Sequence, residues 1–243
     1  MQEVFLDKFN IKISYFESLD TAAEFVIEKK PGSLVALNAE KLVRMYNNPD
    51  LLSGLKNSIF YPDGEPVTWF SPLNSCRIPG VELWLKIIEK LNFTNGKVLL
   101  IGASEAVANS THQELRGKFP YLTFSSLDGF QTYQTYFNEL IRFSPDLVFV
   151  AMGSPKQELL IADMQKHHPN CTYMGVGGSF NVLVGEVKRA PIIFRKLGVE
   201  FLYRLLKEPK RILRQKNYLK FLYLYFSDKF QLRIKHKSKP IYQ

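Results

Sequence analysis

The chain has 243 residues, of which 46% are hydrophobic, so it has enough apolar material for one sizeable core and is not disordered over its whole length. Its uninterrupted apolar runs, such as 98–101 and 147–152, fall far short of the roughly 20 residues that cross a bilayer, and these two predict buried strands. The formal net charge of +9 comes from the C-terminal part: residues 195–243 carry 14 Lys and Arg against 3 acidic groups, whereas residues 1–194 carry 18 against 20.

Short β-rich runs alternate with segments of helical period. The strand-like runs cover 33–38, 98–102, 122–127, 147–152 and 172–178. Apolar residues recur at helical spacing in 39–47, 81–91, 104–118, 132–143 and 155–166, the last with Ser154 as its expected N-cap. This order predicts an α/β fold, a Rossmann-like and mostly parallel sheet with crossover helices. We expect an α/β catalytic body over 1–194 and a basic, amphipathic, helical appendage over 195–243.

In such a sheet, ligands gather in the loops that follow the carboxyl ends of the strands. Asn38 ends the first of these runs, and Asp63 lies in the turn 61–64 after another short apolar run. Asp-Gly is itself a turn signal, so a structural role for Asp63 is one interpretation. The other is that its carboxylate faces a cleft and takes a proton from an acceptor hydroxyl. Position in the sequence leaves both open.

Two other strand-to-helix loops differ in what they offer a ligand. The loop after 98–102 has only Gly102 where a dinucleotide fingerprint needs three glycines, so it predicts a plain turn. The loop 151–158 starts a helix whose backbone N–H groups, with Lys156 and Gln157, suit a phosphate or a polar sugar group. A capped helix with a solvated lysine is the alternative.

The loop after the last run is rich in glycine. Gly175, Gly177 and Gly178 fall within four residues, which lets a ligand approach the backbone closely. Lys188 and Arg189 follow, before a Pro-led helix, and suit a diphosphate. A surface turn with two solvated cations is the competing interpretation.

Taken in order, eight segments of the chain resemble the WecG/TagA/CpsF glycosyltransferase family. They are VALNAEKLV, YPDGEPVTW, RIPGVELW, VLLIGAS, LDGF, VFVAMGSPKQE, YMGVGGSFNVLVGEVKRAP and LGVEFLYRLLKEPKRILRQ. The resemblance runs from about Ser33 to about Tyr218. It is specific as an ordered set, although no single segment is.

The resemblance implies a metal-independent, inverting transfer from a UDP-sugar to undecaprenyl-diphosphate-linked N-acetylglucosamine in surface polysaccharide synthesis, with no cofactor. Residue by residue, it makes Asp63 the general base. It also implies substrate-binding roles for Asn38 in the same pocket, Arg77 at the leaving diphosphate or the acceptor, Gln157 in its PKQE segment, and Gly177 and Gly178 at the nucleotide.

The sequence departs from the family pattern at two positions. Many members have Thr where this chain has Ala36, and many have Asp where it has Asn181. The first difference concerns a sugar contact, and the second replaces a charged acceptor with a neutral one in a substrate-binding position. The residues of these segments are most similar to those of the WecG branch, so the expected donor sugar is N-acetylmannosaminuronic acid, with N-acetylmannosamine as the alternative.

The chemistry of the leaving group agrees with transfer that needs no metal. UDP departs with a large negative charge, and the sequence has no DxD motif to hold a divalent cation. Arg77, Lys188, Arg189 and the amides of the glycine loop are the expected replacements. A single base, Asp63, fits one direct displacement and therefore inversion.

Beyond residue 194, large apolar residues alternate with cations, and we expect Arg204, Lys207, Arg211 and Arg214 to contact the membrane. This pattern predicts an amphipathic helix in the headgroup layer, where each cation contributes about 1 kcal/mol toward anionic lipid. The start of the chain lacks the pattern of a secretory leader, so we expect a cytoplasmic protein attached peripherally to the inner face of the cell membrane. A C-terminal helix packed on the body with its charges in water is the alternative.

Two other functions stay open on the residues alone. Basic residues interleaved with Tyr and Phe also suit nucleic acid, although we expect none as a partner. The other is a nucleotide-sugar-binding protein without catalysis.

Overall fold

A computed structural model of the chain describes residues 1–28, 32–55, 57–69, 76–188, 190–191, 194, 212–227 and 232–233. Within these residues, nine strands form one sheet. The strands are β1 Gln2–Leu6, β2 Ile11–Tyr15, β3 Gly32–Leu37, β4 Ile59–Pro62, β5 Lys97–Gly102, β6 Thr123–Leu127, β7 Leu147–Ala151, β8 Thr172–Gly175 and β9 Leu232–Arg233.

The helices of the described residues connect and cover these strands. They are α1 Leu19–Glu28, α2 Ala39–Asn47, α3 Pro49–Gly54, α4 Glu65–Trp69, α5 Gly80–Leu91, α6 Glu105–Lys118, α7 Tyr133–Phe143, α8 Lys156–His167, α9 Ser179–Leu183 and α10 Ile212–Phe226, with a short 3-10 helix at Asp7–Phe9.

The strand order is β6-β5-β7-β8-β3-β4-β2-β1-β9. Every pair from β6 to β2 is parallel, whereas β1 runs antiparallel to β2 and to β9. The predicted α/β fold with a mostly parallel sheet and crossover helices is therefore confirmed. The order also places β7, β8, β3 and β4 side by side, so the loops at their carboxyl ends are neighbours.

Alternate residues of the central strands divide the core between the two faces of the sheet. Leu100 of β5 packs in a cluster with Trp84 and Phe180, on the face that α1, α5 and α6 cover. Its neighbour Leu99 packs with Met164 on the opposite face, under α7 and α8. Helices α2, α3 and α10 extend that second layer over β1 and β2. Burial on both faces accounts for the almost unbroken apolar runs that the sequence shows at β5 and β7.

Two sequence predictions of local structure were wrong. The last strand-like run was expected to reach 178, but β8 ends at Gly175 because the chain turns at Gly177, whose φ is +54°. Ser154 was expected to cap the helix that follows β7. Instead α8 begins at Lys156 with Pro155 at the N-cap and no side-chain cap, and the main-chain oxygen of Ser154 accepts a hydrogen bond from Arg44 at 2.7 Å.

The described parts of the basic appendage adjoin the body. Phe221 and Leu224 of α10 are each 2% exposed and pack in the apolar cluster under α2, and Lys220 donates to Asn47 at 2.8 Å. The other side of α10 exposes Leu219, Tyr223 and Phe226. The helix thus combines packing on the body with an exposed apolar side, and the division of the chain at residue 194 stays a prediction. Among the described helices, none has the length and apolar character needed to cross a membrane.

Candidate active site at the carboxyl edge of the sheet

The turn that carries Asp63 is held against the end of β3. The main-chain N–H groups of Asp63 and Gly64 both donate to the carbonyl of Leu37, at 2.9 and 3.1 Å. A Cβ on Gly64 would lie 2.8 Å from the Cβ of Asn38, so only glycine lets the two loops come this close. The structure therefore brings the turn of Asp63 next to Asn38, and a substrate pocket shared by the two residues stays a prediction.

The Asp63 carboxylate is oriented by a helix start. Its Oδ1 accepts a hydrogen bond from the N–H of Gly80, the first residue of α5, at 2.7 Å. The side chain is half-buried, so it is neither free in bulk water nor shut away from a substrate.

Tyr61 lies beside this carboxylate and was not predicted from the sequence. Its hydroxyl is completely buried and has no hydrogen-bond partner among the described residues. A Cβ on Gly80 would lie 2.9 Å from that hydroxyl and 3.6 Å from Oδ1 of Asp63. Burial, with a further contribution from the charge of Asp63, raises the pKa of Tyr61 well above its ordinary value, so the phenol stays neutral. Its position in a buried strand gave no sign of this proximity.

Arg77 joins the same group of residues. Its Nε donates to the main-chain oxygen of Asp63 at 2.7 Å, and its Nη1 lies 4.0 Å from a carboxylate oxygen of Glu65. The side chain is about one-fifth exposed, at 19%. Asn38, Asp63 and Arg77 thus form one cluster around the ends of β3 and β4, which we name the base cluster.

Gln157 and the glycine turn form a second cluster, at the ends of β7 and β8. The side chain of Gln157 is buried, its Oε1 accepts from the N–H of Gly177 at 3.0 Å, and its Nε2 donates to Glu158 at 3.1 Å. A Cβ on Gly175 would overlap the amide of Gln157, so this position needs glycine. At Gly177 and Gly178, a Cβ would meet no described atom within 4 Å, so the turn has open space beside it. We name this group the glycine-turn cluster.

A buried ion pair connects the two clusters and was also missed by sequence reasoning. Nζ of Lys41 lies 2.7 Å from Oε1 of Glu158, with side chains 9% and 3% exposed. The Asn38 side chain caps α2 by accepting from the Lys41 N–H at 2.9 Å. Hydrogen bonds and the ion pair therefore run from Asn38 through Lys41, Glu158 and Gln157 to Gly177. Lys41 follows the N-cap residue Asn38 by three positions and lies on the buried side of α2. That spacing was the one feature of the sequence from which a buried lysine could have been inferred.

The charge of Lys41 controls the ionisation of Glu158. Burial raises the pKa of Glu158, but the ammonium group of Lys41 and the hydrogen bonds from Lys41 and Gln157 lower it by more. The pKa of Glu158 in the folded protein therefore lies below its ordinary value. The carboxylate is ionised at neutral pH and acts only as an acceptor.

The remaining predicted site residues belong to neither the base cluster nor the hydrogen bonds of the glycine-turn cluster. Lys156 is exposed and donates to the main-chain oxygen of Gly129, in the loop after β6, at 3.2 Å. The amide of Asn181 donates to Glu186 at 2.9 Å, and Lys188 is exposed. Arg189 and the appendage residues Arg204, Lys207 and Arg211 lie outside the described part of the chain, and Arg214 lies in α10.

The arrangement suits base-assisted transfer from a nucleotide-linked group. A half-buried carboxylate with one oxygen fixed is able to accept a proton, and the open glycine turn leaves room for a ligand next to the backbone. In the described ranges, no group of three or more His, Cys, Asp or Glu side chains is placed to hold a metal ion.

Comparison with protein families agrees with the geometry. A family model described as "Glycosyl transferase WecG/TagA/CpsF family" matches residues 7–235, which span β2 to β9 and both clusters. This match covers nearly all of the sequence and confirms the resemblance at the level of the family. The chain therefore belongs to the WecG/TagA/CpsF family of glycosyltransferases, enzymes of cell-surface polysaccharide synthesis.

Proposed function

We propose that this chain is a metal-independent, inverting glycosyltransferase that moves N-acetylmannosaminuronic acid, or N-acetylmannosamine, from UDP to undecaprenyl-diphosphate-linked N-acetylglucosamine. Membership of the family implies a nucleotide-sugar donor and a lipid-linked acceptor. The observation that carries the proposal is the Asp63 carboxylate, which is half-buried, fixed by the Gly80 N–H at 2.7 Å and set beside Asn38.

The proposed reaction is a single displacement. The acceptor hydroxyl oxygen forms a bond to the anomeric carbon of the donor sugar as the bond from that carbon to the UDP oxygen breaks. The hydroxyl proton passes to Asp63, and UDP leaves with the electron pair. One carboxylate is sufficient for this step, which is why the base cluster supports inversion rather than a covalent intermediate.

The negative charge on UDP needs stabilisation as it develops. Arg77 lies at the base cluster, where it meets either the leaving diphosphate or the acceptor. Lys156, Asn181, Lys188 and Arg189 complete the donor side, and Gly177 and Gly178 admit the nucleotide. The sequence has no DxD motif, and in this proposal these cations and amides take the place of a metal.

Ala36 is a position at which the proposed sugar site departs from the family pattern. It lies in β3 opposite Tyr61 of β4, and its methyl group faces the space beside Gly80. Many members of the family have threonine at this position, so the proposed donor site lacks the sugar contact that a threonine hydroxyl would make. The resemblance of the surrounding segments to the WecG branch favours the uronic acid.

The test is turnover of a panel of UDP-sugars with synthetic lipid-diphosphate-N-acetylglucosamine, with UDP release and product linkage both measured. Asp63→Asn should abolish turnover while UDP still binds. Asp146→Asn is the matched control, because that half-buried carboxylate also accepts from a main-chain N–H, that of Lys97 at 2.8 Å, but lies at the opposite end of the sheet. Unchanged turnover in the Asp63 variant would instead favour a binding protein without catalysis.

We also propose that the appendage attaches the enzyme to the inner face of the cell membrane. The exposed apolar side of α10 and the basic residues that precede it support this. The full chain should sediment with vesicles of anionic lipid, and a full-length variant that carries R204Q, K207Q, R211Q and R214Q should sediment less. Retention on single-stranded RNA without vesicle binding would favour a nucleic-acid-binding protein instead.

A further inference from the structure

The side chains of Lys41 and Glu158 are almost fully buried, and Glu158 contacts Gln157, which in turn accepts from the N–H of Gly177 in the glycine turn. We propose that both are positioning residues for donor binding: they fix the amide of Gln157, which in turn holds the Gly177 turn in the shape that admits the nucleotide diphosphate. The inference rests on the proposed function, since it assigns a role to residues around that site.

The first step is burial. The two charged groups are 9% and 3% exposed and 2.7 Å apart, so they form an ion pair withdrawn from water. Replacing such pairs by apolar residues often leaves stability unchanged or improves it, whereas removing one partner is strongly destabilising. Stability alone therefore does not account for charges at these two positions.

The second step is the orientation of an amide. The side chain of Gln157 has an acceptor end and a donor end of nearly equal shape. The ionised carboxylate of Glu158 only accepts, so it binds the NH2 end, at 3.1 Å. The carbonyl end is then left to accept from the Gly177 N–H, at 3.0 Å. A reversed amide would place two donors against each other at Gly177.

The third step is the separation of donor and acceptor sides. Gly177 has φ +54°, no described atom lies within 4 Å of a Cβ built there, and its N–H donates to the Gln157 carbonyl. Hydrogen bonds from Ser179 to the Val176 carbonyl close the turn from within, and the bond to Gln157 ties the turn to α8. Asp63 is fixed by other partners, the Gly80 N–H and the Leu37 carbonyl. Loss of the ion pair should therefore disturb the donor side and leave the base cluster in place.

The experiment compares four full-length variants with the wild type: Lys41→Met, Glu158→Gln, the double variant K41M/E158Q, and the control K166M/D163N. The control removes an exposed ion pair of 2.9 Å from the same helix, α8. For each protein, UDP affinity is measured by calorimetry, KM for donor and for acceptor by steady-state kinetics, and Tm by circular dichroism.

We expect both single variants to bind UDP about tenfold more weakly and to raise the donor KM by a similar factor, since small misplacements at a binding site have effects of this order. The acceptor KM and the control variant should stay within about twofold of the wild type. The double variant leaves no lone charge, so its Tm should recover, but its UDP affinity should stay low because either end of the new amide can face Gln157.

Two results would overturn the inference. One is a double variant that recovers both Tm and UDP affinity, because the pair would then matter only for stability. The other is a set of single variants whose UDP affinity and donor KM are unchanged, whether or not kcat falls. A wild-type protein that binds no UDP would contradict the proposed function itself, whereas normal UDP binding in wild type and variants alike would remove only this inference.

Discussion

Gly80→Ala tests whether α5 lies as close to Tyr61, beside the base cluster, as the structure shows. The added Cβ would lie 2.9 Å from the Tyr61 hydroxyl, which is fully buried and has no route to solvent. Crowding of this kind costs about 1–3 kcal/mol, and alanine in a helix regains up to about 1 kcal/mol relative to glycine. The net loss lies between about 0 and 3 kcal/mol, and the middle value of about 1.5 kcal/mol lowers Tm by about 3–6 °C in a chain of this size.

A second substitution shows whether the hydroxyl is the cause. Tyr61→Phe removes the atom that the new methyl group meets, and it also removes a buried hydroxyl that lacks a partner among the described residues. Tyr61→Phe alone should therefore be neutral or slightly stabilising. In the double variant G80A/Y61F, most of the stability should return, with a coupling free energy of about 1–2 kcal/mol between the two sites.

The assay is thermal unfolding of wild type, both single variants and the double variant, with turnover measured on the same samples. Gly117→Ala is the matched control, because it also places alanine in a helix but no described atom lies within 4 Å of the new Cβ. That variant should be more stable than wild type, by up to about 1 kcal/mol. The reasoning is refuted if Gly80→Ala melts at or above wild type, or if removing the Tyr61 hydroxyl gives no recovery.

Three further predictions concern separate parts of the molecule. Leu224→Ala should lower the free energy of unfolding by about 2–5 kcal/mol because it empties a buried site, whereas Leu219→Ala on the exposed side of α10 should change it by less than about 0.5 kcal/mol; urea unfolding measures both. Gly178→Ala should leave Tm unchanged yet weaken UDP binding in calorimetry, because the new methyl group enters the open space beside the turn; unchanged affinity would place the nucleotide elsewhere. Since its pKa is lowered on folding, Glu158 stabilises the protein above about pH 4.3, and this contribution is lost as pH falls through the lower folded pKa. The difference in unfolding free energy between wild type and E158Q should therefore be smaller at pH 3 than at pH 7, and an equal difference at both would contradict the assigned ionisation.

Local patterns were sufficient to predict the repeating part of the fold. Strands β5 and β7 are buried on both faces and are nearly all apolar, and the helices between them have clear apolar spacing, so both kinds of element were found within one or two residues of their ends. Strands β1 and β2 were missed because charged and polar residues interrupt their apolar pattern, at the side of the sheet where β1 runs antiparallel to β2. Strand order was not predictable, since β8 pairs with β3 across more than a hundred residues and no local pattern encodes that.

The residues of the candidate site also fall into those that local sequence patterns predicted and those that they did not. Asn38 and Asp63 were predicted because they follow strand ends and match motifs of the family, and Arg77 was predicted from the motif alone. The structure brings the three residues together, and their roles stay predictions. Tyr61, Lys41 and Glu158 were missed because their importance comes from burial and from partners distant in the sequence. No pattern in the sequence distinguishes a lysine or tyrosine that is buried beside a site from one that lies elsewhere in a helix or strand.

The pairing of β9 with β1 joins the two ends of the chain at one side of the sheet, through Phe5 with Arg233 and Leu6 with Leu232. Removing the residues of β9 would expose the outer hydrogen-bonding groups of β1. A longer truncation that also removes α10 would uncover the apolar surface of α2. Bare strand edges and apolar patches promote pairing between copies. Truncated forms should therefore aggregate for reasons unrelated to lipid, and the charge variants of the full chain isolate the contribution of the membrane.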